Sequence, residues 1–304
     1  MPFQDSVLWR ILETHAYTGM DSLVENILIL MYVKWLDQNS HALISQKNRW
    51  QVWTSLPEHL RFAYFKDRLY PLLQSHAPMS GHLLGLILPT LAFGVPSAHA
   101  LSELIEYLDT HSEETVLNHL VHFLGHHPLD SACWNEIFGR VGTQRGTVLW
   151  EPKCQIADFL CAGARFQSVN HGFESAQGSC LWGRVQDRCH ALLSAFRLLC
   201  IGQFAPHLDA YSLPRPRPHV IWTRAADSLA YPSLLDILAP GGKLLIWHEH
   251  AHRHTLKIGS GGLEVMQKQR VWQIREKSST YQCLPLFKSR DVNESRIEEQ
   301  SLIQ

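Results

Sequence analysis

Apolar residues recur at helical spacing through roughly the first 135 positions of this 304-residue chain. Val7, Leu8, Ile11 and Leu12 form one stripe. After Gly19, Leu23, Ile27, Leu30 and Val33 form a second, which ends near Trp35 and Leu36. Asp21 is placed to cap that second helix, with Glu25 in its first turn. Pro57 stands in the first turn of a helix reading EHLRFAYFKDRLYPLL, and LSELIEYLDTH and EETVLNHLVHFLGHH give two more amphipathic segments. No stretch of this half has a strand pattern. Near Gly142 the pattern changes. TVLW (147–150) is a short β-rich run, a helical stretch and SVNHGFE (168–174) follow, and WGRVQDRCHALLSAFRLLCIG reads as a long helix closed by Gly202. PHVIWT (218–223) predicts a strand, YPSLLDIL a helix stopped by Pro240, Gly241 and Gly242, and KLLIWHEH and VWQIREK two further strands. Strands that alternate with helices predict a mostly parallel, Rossmann-like sheet covered by helices on both faces. The expected organisation is therefore α/β: a helical domain over 1–140, the sheet domain over 141–288 and a polar tail over 289–304.

Composition narrows this picture. With 45% hydrophobic residues the chain has enough apolar side chains for a packed core, which excludes a disordered protein. Lys and Arg total 27 against 28 Asp and Glu, so the net charge of -1 gives no general basic surface for phosphates. Seven cysteines, an odd number without a CxxC pair, predict reduced thiols and a cytoplasmic location. The opening MPFQDSVLWRILETH lacks the cleavage site of a signal peptide, and the longest apolar run, Ile27 to Val33, is too short to span a bilayer, so no membrane association is expected.

Three motifs in the second half stand in a meaningful order. VLWEPKCQIADFL (148–160) places Glu151, Pro152, Cys154, Phe159 and Leu160 in the frame acidic-Pro-x-Cys-Gly-x-Gly-Gly-Phe-Leu. GFES (172–175) puts Glu174 where a second strand would end in a carboxylate, and LLDILAPGGKLLIW (234–247) gives a helix, a Pro-Gly-Gly turn and a strand. In these motifs the chain resembles the N6-adenine DNA methyltransferases, above all the modification subunits of type I restriction systems. The segment YTGMDSLVENILILMYVKWLDQ (17–38) is similar to the helical segment that opens those subunits. The resemblance implies a cleft for S-adenosylmethionine lined by the first motif, with an acid at the end of the second strand on the cofactor ribose.

The chain departs from the family where the chemistry lies. The three glycine positions of the cofactor loop carry Gln155, Ala157 and Asp158, whose side chains are expected to stand in the cofactor's place. Asp158 also brings a negative charge toward the cofactor's own carboxylate. The family's catalytic Asn/Asp-Pro-Pro-Phe/Tyr, which accepts hydrogen bonds from the flipped adenine's amino group, falls on Thr223-Arg224-Ala225-Ala226-Asp227. Arginine only donates, so Arg224 cannot serve as that acceptor. Arg224 is instead expected to pair with Glu151, Asp158 or Glu174. The interval FGRVGTQRGTVLW lacks the proline of the family's Phe/Tyr-x-x-Pro segment, and too little chain follows the Pro-Gly-Gly strand for a target-recognition domain.

The remaining constellations have plain structural readings. His248, His250, His252 and His254 alternate and could share a strand face as metal ligands, but a polar strand end is the simpler reading, and no metal is assigned. LPRPRP reads as a stiff connector, Gly125-His126-His127-Pro128 as a helix end, and Lys268, Arg270, Arg275 and Lys277 as a solvated hairpin edge after the GSGG turn. Cys154 has no base beside it in sequence. Ten tryptophans are a high count and suggest exposed aromatic surface for a protein interface. The expectation is a catalytically inactive methyltransferase-like scaffold without cofactor, bound to a protein partner and, through it or directly, to DNA. The alternatives are an active DNA adenine methyltransferase with diverged motifs and a nucleic-acid-binding module without catalysis.

Overall fold

The computed structural model describes residues 7–39, 45–76, 83–87, 90–144, 146–171, 180–203, 206–209, 214–215, 217–225, 231–249, 255–258, 261–268 and 281–283. Up to residue 141 the elements are all helical: α1 (Val7–Thr14), α2 (Met20–Asn39), α3 (Trp50–Thr54), α4 (Glu58–Tyr64), α5 (Tyr70–His76), α6 (Leu83–Ile87), α7 (Ala98–Thr110), α8 (Glu113–Phe123) and α9 (Ser131–Val141). None is long and apolar enough to cross a membrane. Asp21 lies inside α2 rather than at its cap, because the helix begins at Met20 after Gly19. From Leu23 to Val33 α2 is buried on every side, as an all-round apolar helix must be. Side-chain oxygens of Ser97, Ser112 and Asp130 cap α7, α8 and α9. The run expected as one helix from Glu58 is interrupted by a π turn over Phe65–Leu69. Pro71, two positions further on, has no N–H to continue the ordinary ladder, and the register shifts to accommodate it.

The second half is a single sheet in the order β3-β2-β1-β4-β5-β7-β6, with β8 also on β7. Its strands are β1 (Leu149–Glu151), β2 (Leu181–Arg184), β3 (His207–Asp209), β4 (Val220–Arg224), β5 (Lys243–His248), β6 (Leu256–Ile258), β7 (Gly261–Lys268) and β8 (Tyr281–Cys283). The first five pair in parallel, and β7 pairs antiparallel with β5, β6 and β8. Helices α10 (Asp158–His171), α11 (Arg188–Cys200) and α12 (Tyr231–Ile237) connect the parallel strands. Side chains alternate along each strand. Leu149, Val220, Trp222, Leu245 and Trp247 meet α9 and α10 on one face, while Trp150, Ile221, Leu244 and Ile246 meet α12 on the other.

The second strand is not where the motif frame placed it. Ser168 to His171 close α10, and Trp182 to Arg184, expected to open the long helix, belong to β2 (Leu181–Arg184). Helix α11 starts only at Arg188, capped by Asp187, and ends on Gly202 at φ +79° in a Schellman turn. Residues 271–277, expected as a strand, lie outside the described residues.

Two cores share α11. Its Cys189, Leu192, Leu193, Phe196 and Leu199 join the core of the N-terminal helices, while Leu198 joins the sheet core. The link between them includes a bidentate ion pair, with Arg188 Nε 2.8 Å from Glu25 Oε1 and its second nitrogen 3.2 Å from Oε2. Among the described residues the tryptophans do not form an exposed surface: Trp35, Trp50, Trp53, Trp134, Trp150, Trp222 and Trp247 are all buried.

Candidate functional site

Chain direction reverses across the sheet between β1 and β4. From β1 the chain moves outward through β2 to β3, and from β4 it moves the other way to β5. The carboxyl ends of these two strands therefore leave a crevice, the usual place for a ligand in an open α/β sheet. A cavity of about 270 Å³ lies there, lined by Glu151, Lys153, Gln155, Ile156, Asp158, Thr223 and Arg224, with His126, Leu129, Trp134, Trp222 and Glu249 completing its wall. The structure thus brings Gln155 and Asp158 from the first motif together with Thr223 and Arg224 from the end of β4.

The loop from β1 to α10 is held by the chain's own side chains. The Cys154 N–H donates to the Arg184 carbonyl at 2.9 Å, which ties the loop to β2. The Cys154 thiol is buried 3.7 Å from Ser194 Oγ, and burial raises its pKa well above the ordinary value, so it remains a thiol. Ala157 takes the left-handed backbone that a glycine adopts freely, at φ +51°. Its methyl is fully buried in the sheet core, so it does not stand in the cavity as the sequence suggested. Gln155 and Asp158 do line it. Arg197, reaching from α11, donates to the Ile156 carbonyl and sits 3.1 Å from Asp158 Oδ1. Asp158 Oδ2 accepts from the Leu129 N–H at 3.1 Å and from Trp134 Nε1 at 2.9 Å. Asp158 therefore has Arg197 as its ion-pair partner where Arg224 was expected.

Glu151, at the end of β1, is buried and has one carboxylate oxygen without a hydrogen-bond partner among the described residues. Burial, reinforced by the Asp158 charge, pushes its pKa up to about 8, although Arg197 and Arg224 pull it down. The carboxyl is therefore mostly protonated at neutral pH. Arg224 ends β4 opposite Trp247 of β5. Thr223 is buried beside it, and Ala225 packs against the α12 face. Ala226, Asp227 and Glu174 lie outside the described residues. The carboxylate expected at the end of β2 is not on that strand, which ends on Arg184.

His126 was missed as a site residue. A Schellman turn does end α8, with Gly125 at φ +76° and the His126 N–H on the Val121 carbonyl, and that turn delivers the imidazole to the cavity wall. Its Nε2 lies 2.7 Å from Nε2 of His190, whose Nδ1 is 2.5 Å from Asp187. Burial first, then the charges of His190 and Arg224, lower the His126 pKa to about 4. Glu249, just past β5, and Lys153 were also missed. An acid directly after a parallel strand is a usable signal for the first. Within the histidine tract, His248 pairs with Glu264 at 3.1 Å across β5 and β7, and His250, His252 and His254 lie outside the described residues.

No protein-family model matches the chain, and no curated protein does. Solved structures do. A chain from a structure of the assembly and conformational transition of a type I R-M system superposes with a TM-score of 0.56 at 16% identity, covering 79% of this chain and 63% of its own. A modification subunit assigned to a type I restriction enzyme from Vibrio vulnificus YJ016 also gives 0.56, at 13% identity, over 79% of this chain and 69% of its own. This chain thus spans less than two thirds of the first and little more than that of the second. At such identities the likeness shows the architecture alone: the chain is built on the fold of the modification subunits of type I restriction-modification systems.

Proposed function

We propose that this chain is a catalytically inactive methyltransferase-like subunit, a scaffold within a multi-subunit assembly acting on DNA. The observation that carries the reading is the Arg197 brace. One guanidinium holds both the Ile156 carbonyl and the Asp158 carboxylate, so the loop that would cradle S-adenosylmethionine is fastened to α11. The residues present do not fit that cofactor. Asp158 and Gln155 line the cleft at two of the family's glycine positions, β2 ends on an arginine, and Arg224 offers donors where the adenine amino group needs an acceptor.

The partner half of the proposal draws on the type I R-M structure, which concerns complex assembly. The cleft gives direct DNA binding little support. With Asp158 paired to Arg197, Lys153 and Arg224 there exceed Glu249 by a single charge, and phosphate binding needs a broad excess of positive charge. Calorimetry with S-adenosylmethionine is expected to show no saturable heat at millimolar ligand. DNA incubated with the protein and methyl-labelled cofactor should gain no N6-methyladenine, even after Asn-Pro-Pro-Phe is placed at 224–227. A micromolar dissociation constant, or methylation by the unaltered chain, overturns the proposal in favour of an active enzyme.

A further inference from the structure

Away from the cleft, three side chains from separate parts of the helical region converge. His15 follows the last turn of α1, its N–H still on the Ile11 carbonyl. His99 and Glu103 lie one turn apart on the same face of α7, the i,i+4 spacing that lets two side chains address one point. His15 Nε2 is 2.9 Å from Glu103 Oε2, and His99 Nε2 is 3.8 Å from the other oxygen, Oε1. The two imidazoles meet nearly edge to face, with centroids 5.4 Å apart, and the three donor atoms all lie within 4.8 Å of one another. We propose that His15, His99 and Glu103 form a binding site for a divalent transition ion, Zn²⁺ by preference, that clamps the end of α1 to α7.

The chemistry supports this ion class. Zinc bonds of about 2.0–2.1 Å in a tetrahedral array put ligand atoms roughly 3.3 Å apart, between the two separations found. Two imidazoles and one carboxylate suit Zn²⁺ and its transition-metal neighbours, whereas Mg²⁺ and Ca²⁺ favour all-oxygen sets. A simple ion pair accounts for His15 on Glu103, but it leaves a second imidazole facing the other oxygen of the same carboxylate. Behind His99, Glu58 at the start of α4 places Oε1 3.9 Å from Nδ1. A carboxylate on the far nitrogen of an imidazole is the usual arrangement for orienting a metal-bound histidine. His99 is 65% exposed while His15 is 6% exposed, so an ion enters from solvent and keeps a fourth position for water. The site is remote from the methyltransferase-like cleft and does not depend on how that cleft functions.

The test uses the full chain stripped of metal and titrated with Co²⁺, then Zn²⁺. One equivalent of Co²⁺ should give the visible bands of tetrahedral coordination, and Zn²⁺ should displace it. The melting temperature should rise with the logarithm of free Zn²⁺. His99→Ala, an exposed change that leaves the fold intact, and Glu103→Gln should each weaken binding at least 100-fold, and Glu58→Gln about 10-fold. The competing binder is the histidine stretch 248–254, so His250→Ala with His252→Ala must leave this equivalent in place. Absence of saturable binding at 100 μM ion, roughly, or unchanged affinity in His99→Ala, overturns the site.

Discussion

Glu151 shows how one side chain gives the cleft a pH signature. Its pKa in the folded chain is about 8, above the roughly 4.3 of an exposed glutamate. The folded state therefore holds a proton that the unfolded state releases. Stability from this group is complete below about pH 4.3 and declines as pH rises to about 8. Glu151→Gln keeps the shape and removes the titration. It is expected to stabilise the protein by about 2–4 kcal/mol at pH 9 and by little at pH 5, measured by urea unfolding. An equal effect at both pH values contradicts this. His126 acts in the opposite sense between about 4 and 6.5, since burial lowers its pKa to about 4. The variant must therefore be compared with the parent at each pH. Gln155, Asp158 and Arg224 were legible as cleft residues because they fall in one continuous motif frame or at one strand end. The Arg197 brace was not, because its partner Asp158 lies 39 positions away and nothing local distinguishes that arginine from others on α11. Ala157 was read for its identity, and its direction into the core follows only from the backbone.

At the scale of elements, regular periodicity was legible and short strands were not. Helices α1, α2, α7 and α8 and the strands and helix between 218 and 248 follow from apolar spacing, whereas α3, α6 and α9 were not singled out. Strand β2 was absorbed into the α11 pattern because it has four residues and contains Gly183. That glycine is required by packing: a Cβ there would sit 2.7 Å from a Leu208 methyl and 3.0 Å from the Cys154 side chain. Its contacts lie 25 positions ahead and 29 behind, so local sequence reads only a weak strand. The joint between α2 and α11 gives a sharper test. Glu25 is 11% exposed and Arg188 55%, so the two partners do not respond alike to losing each other. Arg188→Gln leaves a buried carboxylate unpaired and is expected to cost about 2–3 kcal/mol. Glu25→Gln leaves an arginine that can turn to water and is expected to cost about 1 kcal/mol or less. Equal losses in chemical denaturation would show that the pair is a surface contact.

For the molecule as a whole, α11 determines whether the two cores are independent. Among the described residues, Cys189, Leu192, Leu193, Phe196 and Leu199 are covered mainly by the N-terminal helices, with only Ile156 and Leu208 added to that core from the sheet loops and strands. A fragment beginning at residue 126 is therefore expected to bind hydrophobic dyes and to aggregate, although it contains the complete described sheet. A monomeric fragment with a cooperative melt would establish instead that the sheet half stands alone. The full chain should unfold in one transition. The joint also has a consequence in time. Glu25 and Arg188 are 163 positions apart. At a synthesis rate of about 5–20 residues per second, α2 leaves the ribosome roughly 8–33 s before the residues that complete its packing exist. For that interval a 20-residue helix with apolar residues on every side has only the other N-terminal helices for shelter. Slow translation through the stretch between them lengthens its exposure, so yield should fall with rare codons placed after α9 more than with the same codons placed after α11.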